Sequence, residues 1–128
     1  MEKLHKPHKI LINRKPIAGP WGGGNNFVSA FVHYAQLAGH EIVYDLQDDL
    51  DCFFAIDPRP DKQSPGLADV VNSAKYSGIR IAQRINECDA RKNTEHMDPM
   101  LLECSGFIHR GIFVSKWIAD HFETNIPR

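Results

Sequence analysis

Five short apolar runs, separated by turns and helical stretches, constrain the fold of this chain more than any other feature. They are Lys9 to Asn13 (KILIN), His40 to Asp45 (HEIVYD), Cys52 to Ile56 (CFFAI), Ile79 to Ile85, and Gly111 to Val114. Runs of this length and composition read as strands buried on both faces. Between the first two, Asn25 to Ala38 reads as a helix. Phe27, Phe31, Tyr34 or Ala35, and Ala38 recur at helical spacing, Asn25 or Asn26 can cap the start, and Gly39 can end it. Leu67 to Tyr76 and His96 to Glu103 are further helices, the second starting near Asp98 and Pro99. Ser115 caps a last helix that runs to Phe122, and residues 86 to 95 read as a mostly polar loop.

Strands that alternate with helices imply a parallel sheet with helices on both faces, that is, an α/β, Rossmann-like domain. Residues 1 to 8 form a basic tail and residues 9 to 128 one domain, long enough to bury a core without staples. In such sheets a ligand sits outside the carboxyl ends of the strands, where the strand order reverses. The segments that matter are then 14 to 26, 45 to 51, 57 to 60, 86 to 91 and 115 to 117.

Composition excludes several functions. Fifteen Lys and Arg against 16 Asp and Glu leave a net charge of −1, so bulk charge does not drive nucleic-acid binding. No apolar run reaches the length of a membrane span, and the amino terminus lacks the apolar stretch of a signal peptide. Cys52, Cys88 and Cys104 are odd in number and form no CxxC pair, which suggests free thiols in the cytoplasm and no zinc site. No metal is expected. Cys88, flanked by acids, is a poor nucleophile candidate, and no GxSxG elbow supports acyl transfer.

The strand ends carry three candidate sites. In Gly19-Pro20-Trp21-Gly22-Gly23-Gly24-Asn25-Asn26, three consecutive glycines strip side chains from the entry to a helix. Gly22, Gly23, Gly24 and Asn25 could therefore cradle a diphosphate or acceptor oxygens on backbone N–H groups. The loop is not a P-loop, because no Lys-Ser/Thr follows it, and it is a poor dinucleotide fingerprint because Phe27 stands where Gly or Ala belongs. Asp45 would still suit a ribose hydroxyl, so an NAD(P)- or other nucleotide-binding module is a competing reading. The second site is Arg84, Asn86, Glu87, Asp89 and Arg91, where arginine can grip a phosphate or carboxylate and an acid can take a hydroxyl proton. The third is Asp57 and Arg59, held by Pro58 and Pro60. A solvated charged loop is the plain alternative for both, and a surface turn for Asp45, Asp48, Asp49 and Asp51. A non-catalytic interaction domain is a further alternative for the whole chain.

Taken in order, GPWGGGNNF, AGHEIVYDL, IDPRP, QRINECDARKNT with MDPMLL, and FVSKW resemble the N-terminal domain of GT-B glycosyltransferases of the retaining, family-four-like group. The resemblance spans about Lys9 to Phe122. It implies sugar transfer from a nucleotide-sugar donor to an acceptor hydroxyl with retained configuration, in carbohydrate biosynthesis, with the donor as substrate and neither cofactor nor metal. It puts Gly22 to Asn25 beside the donor phosphates. It lines the cleft with Arg84, Asn86, Glu87, Asp89, Arg91 and Ser115, leaving Trp117 to packing, and names no nucleophile. The donor-binding C-terminal domain or a partner subunit would complete the enzyme. The sequence closes at Thr124 to Arg128, about where the link to that domain would begin, so the chain alone is expected to be inactive. The location implied is the cytoplasm or the membrane periphery.

Overall fold

A computed structural model describes residues 6–19, 23–86, 88–122 and 125–128. The five apolar runs form five parallel strands: β1 (Lys9–Ile12), β2 (Glu41–Val43), β3 (Cys52–Ala55), β4 (Arg80–Ile85) and β5 (Arg110–Phe113). They lie in one sheet in the order β2-β1-β3-β4-β5. In register, Leu11 faces Val43 on one side and Phe53 on the other, and Arg84 faces Ile112. The fold is Rossmann-like α/β, as the alternation of strands and helices required. Among the described residues no helix is long and apolar enough to cross a membrane.

Because side chains alternate along a strand, each strand feeds two cores. One holds Leu11, Phe53, Ile81 and Ile85 under the helices α2 (Leu67–Val71), α4 (Met97–Cys104) and α5 (Lys116–His121). The other holds Ile12, Phe54 and Ile56 under α1 (Gly23–Leu37) alone. There Phe31 and Phe27 meet Phe54 edge-on at 4.8 and 5.9 Å, contacts worth about 0.5–1.5 kcal/mol each beyond the area they bury. Gly39, with φ of 94°, ends α1 in the left-handed region, as the sequence suggested.

Local detail departs from the sequence reading in four places. α1 starts at Gly23, so Asn25 stands inside its first turn rather than capping it. The helix expected over Leu67 to Tyr76 breaks at Asn72 and resumes as a 3₁₀ turn over Ala74–Tyr76. The polar stretch 86–95 contains a short helix, α3 (Asp89–Lys92), closed by Asn93 at φ 55°. Finally, β5 starts at Arg110, one residue early, and its outer edge is met by the C-terminal tail. The Gly111 N–H donates to the Pro127 carbonyl at 2.5 Å, and a Cβ at Gly111 would fall 2.6 Å from the Phe113 ring.

Candidate active site

The strand order reverses between β1 and β3. β1 leads through α1 to β2 on one side, and the chain returns to β3 on the other. A crevice opens at the carboxyl ends of these strands, where such sheets hold their ligands. The first residue past β1, Asn13, is fully buried and pins this point. Its Nδ2 donates to the carbonyls of Asp57 at 2.7 Å and Pro65 at 3.0 Å, and its Oδ1 accepts from the Ile56 N–H at 2.8 Å. The loop past β3 is closed further by Gly66, where a Cβ would meet the Pro60 nitrogen at 2.6 Å.

Charges in this loop satisfy one another. Arg59 grips Asp57 with two parallel bonds, Nε to Oδ1 at 2.9 Å and Nη2 to Oδ2 at 2.7 Å, and its own N–H also donates to Oδ1. Partial burial raises the Asp57 pKa, but the Arg59 bonds and the more distant Arg14 outweigh it and hold the carboxyl below its ordinary value. Arg14 lies 3.7 Å from Asp61 and donates to the Arg59 carbonyl.

Arg84, near the end of β4, is different. It is only 8 % exposed, and its Nε is buried with no partner among the described residues. The guanidinium lies 5.1 Å from the Phe27 ring of α1, a cation–π contact. Burial pushes its pKa down, and Asp57 acts in the opposite direction through space. A Cβ at Gly24 would lie 3.8 Å from Nη1, an ordinary van der Waals contact, so the first turn of α1 stands directly beside the guanidinium. Asn25 steadies that turn by exchanging two hydrogen bonds with Ile17, its Oδ1 accepting from the Ile17 N–H at 2.6 Å and its Nδ2 donating to the Ile17 carbonyl at 2.7 Å.

These residues line a cleft of about 270 Å³ that includes Arg14, Lys15, Gly24, Asn25, Asp57, Arg84 and Asn86. The first N–H groups of any α-helix lack intrahelical partners, and the helix dipole makes that end positive. With Arg84, the first turn of α1 forms a corner suited to an anion, and Lys15, whose ammonium lies 5.4 Å from the Tyr44 ring, lines the same cleft. Asn86 also lines an adjoining depression of about 360 Å³, together with Arg59, Cys88, Lys92, Thr94, His96 and Met97.

The structure thus gathers Gly24, Asn25, Asp57, Arg59, Arg84 and Asn86 of the expected residues. Gly23 begins α1, while Gly22 and Glu87 lie outside the described residues. Asp89, Arg91 and Ser115 line neither depression. Asp89 is bound up in capping: its carboxylate accepts from Thr94 and from the N–H groups of Met97 and Asp98, and the Asp98 carboxylate accepts from the Asp89 N–H. Burial raises the Asp89 pKa, yet those bonds hold it below the ordinary value. Ser115 caps α5, its Oγ accepting from Ile118. Trp117 is exposed and stacks on His121. Arg14 and Lys15 were not singled out in the sequence, although they directly follow the first strand. No group of three or more His, Cys, Asp or Glu able to hold a metal occurs among the described residues. Burial, then Asp51, pushes the Cys52 thiol up to about 11. Comparison with protein-family models, curated proteins and solved structures finds no match to this chain.

Proposed function

We propose that this chain is the acceptor-side half of a GT-B-type glycosyltransferase, and that the corner between Arg84 and the start of α1 receives the diphosphate of a nucleotide-sugar donor. One observation carries the reading. Arg84 is a buried guanidinium whose Nε finds no hydrogen-bond partner among the described residues, set beside the first turn of α1 at the ligand-binding end of a parallel sheet. The Phe27 ring and the through-space charge of Asp57 offset part of its desolvation, and an incoming anion supplies the hydrogen-bond partner that Nε lacks. The motifs GPWGGGNNF and QRINECDARKNT add the resemblance to such transferases.

In this reading the departing diphosphate gains negative charge as the sugar leaves. Arg84, Lys15 and the N–H groups of the first turn of α1 stabilise that charge in a preorganised, partly dry site. A donor-binding domain on the opposite wall, supplied by a continuation of the chain or by a partner subunit, completes the machinery. The adjoining depression holds the acceptor, and Asn86, common to both, sets the acceptor hydroxyl against the donor sugar. Asp57 is committed to Arg59 and is assigned no covalent role.

Titration of the full chain with a nucleoside diphosphate, in parallel with NADH, tests this. The nucleoside diphosphate is expected to give a saturable signal that weakens at least tenfold, about 1.4 kcal/mol, in Arg84→Ala. NADH is expected to show no saturable fluorescence change below millimolar concentration. Saturable NADH binding, or diphosphate binding unchanged in a folded Arg84→Ala variant, would overturn the proposal.

A further inference from the structure

α1 covers only half of its face of the sheet. Its side chains pack on β1, β2 and β3 and reach Ala82 and Arg84 of β4. Beyond Ala82 and the buried Arg84 on the same face, β4 and β5 leave Arg80, Arg110, Ile112 and Val114 exposed. Ile112 is 42 % exposed and Val114, just past β5, 49 %. The flank of α1 turned toward this half is aromatic, since Phe27 lies against Arg84 and both Phe27 and Phe31 lie against Phe54 of β3. Phe27, Phe31 and the exposed Tyr34 wall an apolar groove of about 520 Å³. Helix flank and bare sheet meet in a corner. Parallel sheets bury both faces under helices, and neighbouring helices pack about 8–10 Å apart, so the corner has the shape of a helix seat.

Charge selects the occupant. Arg80 and Arg110 are exposed at the strand-start end of this half, and neither makes an ion pair among the described residues. Among the described residues the Arg110 side chain donates to the neighbouring His109 carbonyl alone. Among the described residues this half-face carries no carboxylate, so a second copy packed face to face would bury arginines without counter-charge. α1 runs from the strand ends toward the strand starts. A helix lying parallel to it would bring its negative C-terminal end over Arg80 and Arg110.

We infer that this corner docks an amphipathic helix of a partner polypeptide. Its apolar stripe lies on Phe31, Tyr34, Ile112 and Val114, and carboxylates in its last turn face Arg80 and Arg110. The inference is independent of the transferase reading.

The test uses the full chain and two fluorescein-labelled synthetic helices of about 18 residues with leucines at i, i+3, i+4 and i+7. One carries three glutamates in its last turn, the other three lysines. By anisotropy the glutamate peptide is expected to bind at least tenfold more tightly. The double variant Arg80→Glu, Arg110→Glu is expected to reverse that order, and because both side chains are exposed it keeps the fold. Ile112→Asp is expected to weaken both peptides. The inference fails if neither peptide saturates or if the double variant keeps the original order. A chain mass that doubles with concentration in light scattering would also overturn it, assigning the corner to a second copy.

Discussion

The loop past β3 and the end of β4 border the same cleft, and they treat charge in opposite ways. Past β3, Asp57 is gripped by Arg59, Arg14 approaches Asp61, and Asn13 satisfies three backbone groups at once. At the end of β4, Arg84 is buried and its Nε has no partner among the described residues. The first region is scaffold, because its polar groups complete one another and ask nothing of a ligand. The second is the proposed site, because its charge is left incomplete. Counting polar residues at a strand end does not separate the two, whereas asking which of them already have partners does.

The largest expected effect lies in the scaffold. Asn13→Ala leaves the Ile56 N–H and the carbonyls of Asp57 and Pro65 without their buried partner, at a cost of about 3 kcal/mol or more. Urea unfolding measures it, and a loss below about 1 kcal/mol would break the assignment of this loop as scaffold.

Arg84→Leu sharpens the contrast from the other side. It removes a buried, incompletely paired charge, so stability is expected to hold or to rise by about 1 kcal/mol, while affinity for a nucleoside diphosphate falls at least tenfold. A destabilised Arg84→Leu protein would mean that Arg84 is scaffold as well.

The smallest effects belong to the partly exposed pair. Arg59→Ala is expected to cost no more than about 1 kcal/mol. Asp57 has a folded pKa below its unfolded value of about 3.9, so its contribution is fully present above that value and is lost as the pH falls through the lower folded pKa. Urea midpoints of the wild type and Asp57→Asn are therefore expected to differ at pH 6 and to converge as the pH falls through the folded pKa of Asp57. A gap that stays constant across this range would remove the ion pair from the account.

The fold was legible because most strands are compact apolar runs and most connections carry a Gly, Pro or Asn at their turns. Gly39 and Ser115 end and begin helices as their residue types demand. Less legible was whatever depended on partners distant in sequence. Asn13 reads as the tail of a strand, and nothing nearby announces that its side chain ties residues 56, 57 and 65. Asp89 has the residue type and position of a cleft acid, yet its oxygens are taken by Thr94, Met97 and Asp98, through the short α3 turn that a polar stretch conceals. Arg84 and Gly24 were legible separately, one as a cation and the other as a missing side chain. Their apposition depends on the packing of α1 across β3 and toward β4, which the Phe27–Phe54 and Phe27–Arg84 contacts fix.

The most direct test of the central claim follows the Arg84 Nε–H and Gly24 amide resonances by NMR while inorganic pyrophosphate is added to the full chain. Both are expected to move together with one saturating curve, and the Gly24 shift is expected to vanish in Arg84→Leu. If both stay still while resonances elsewhere respond, or if Gly24 responds equally without Arg84, the corner between Arg84 and α1 is not the anion site.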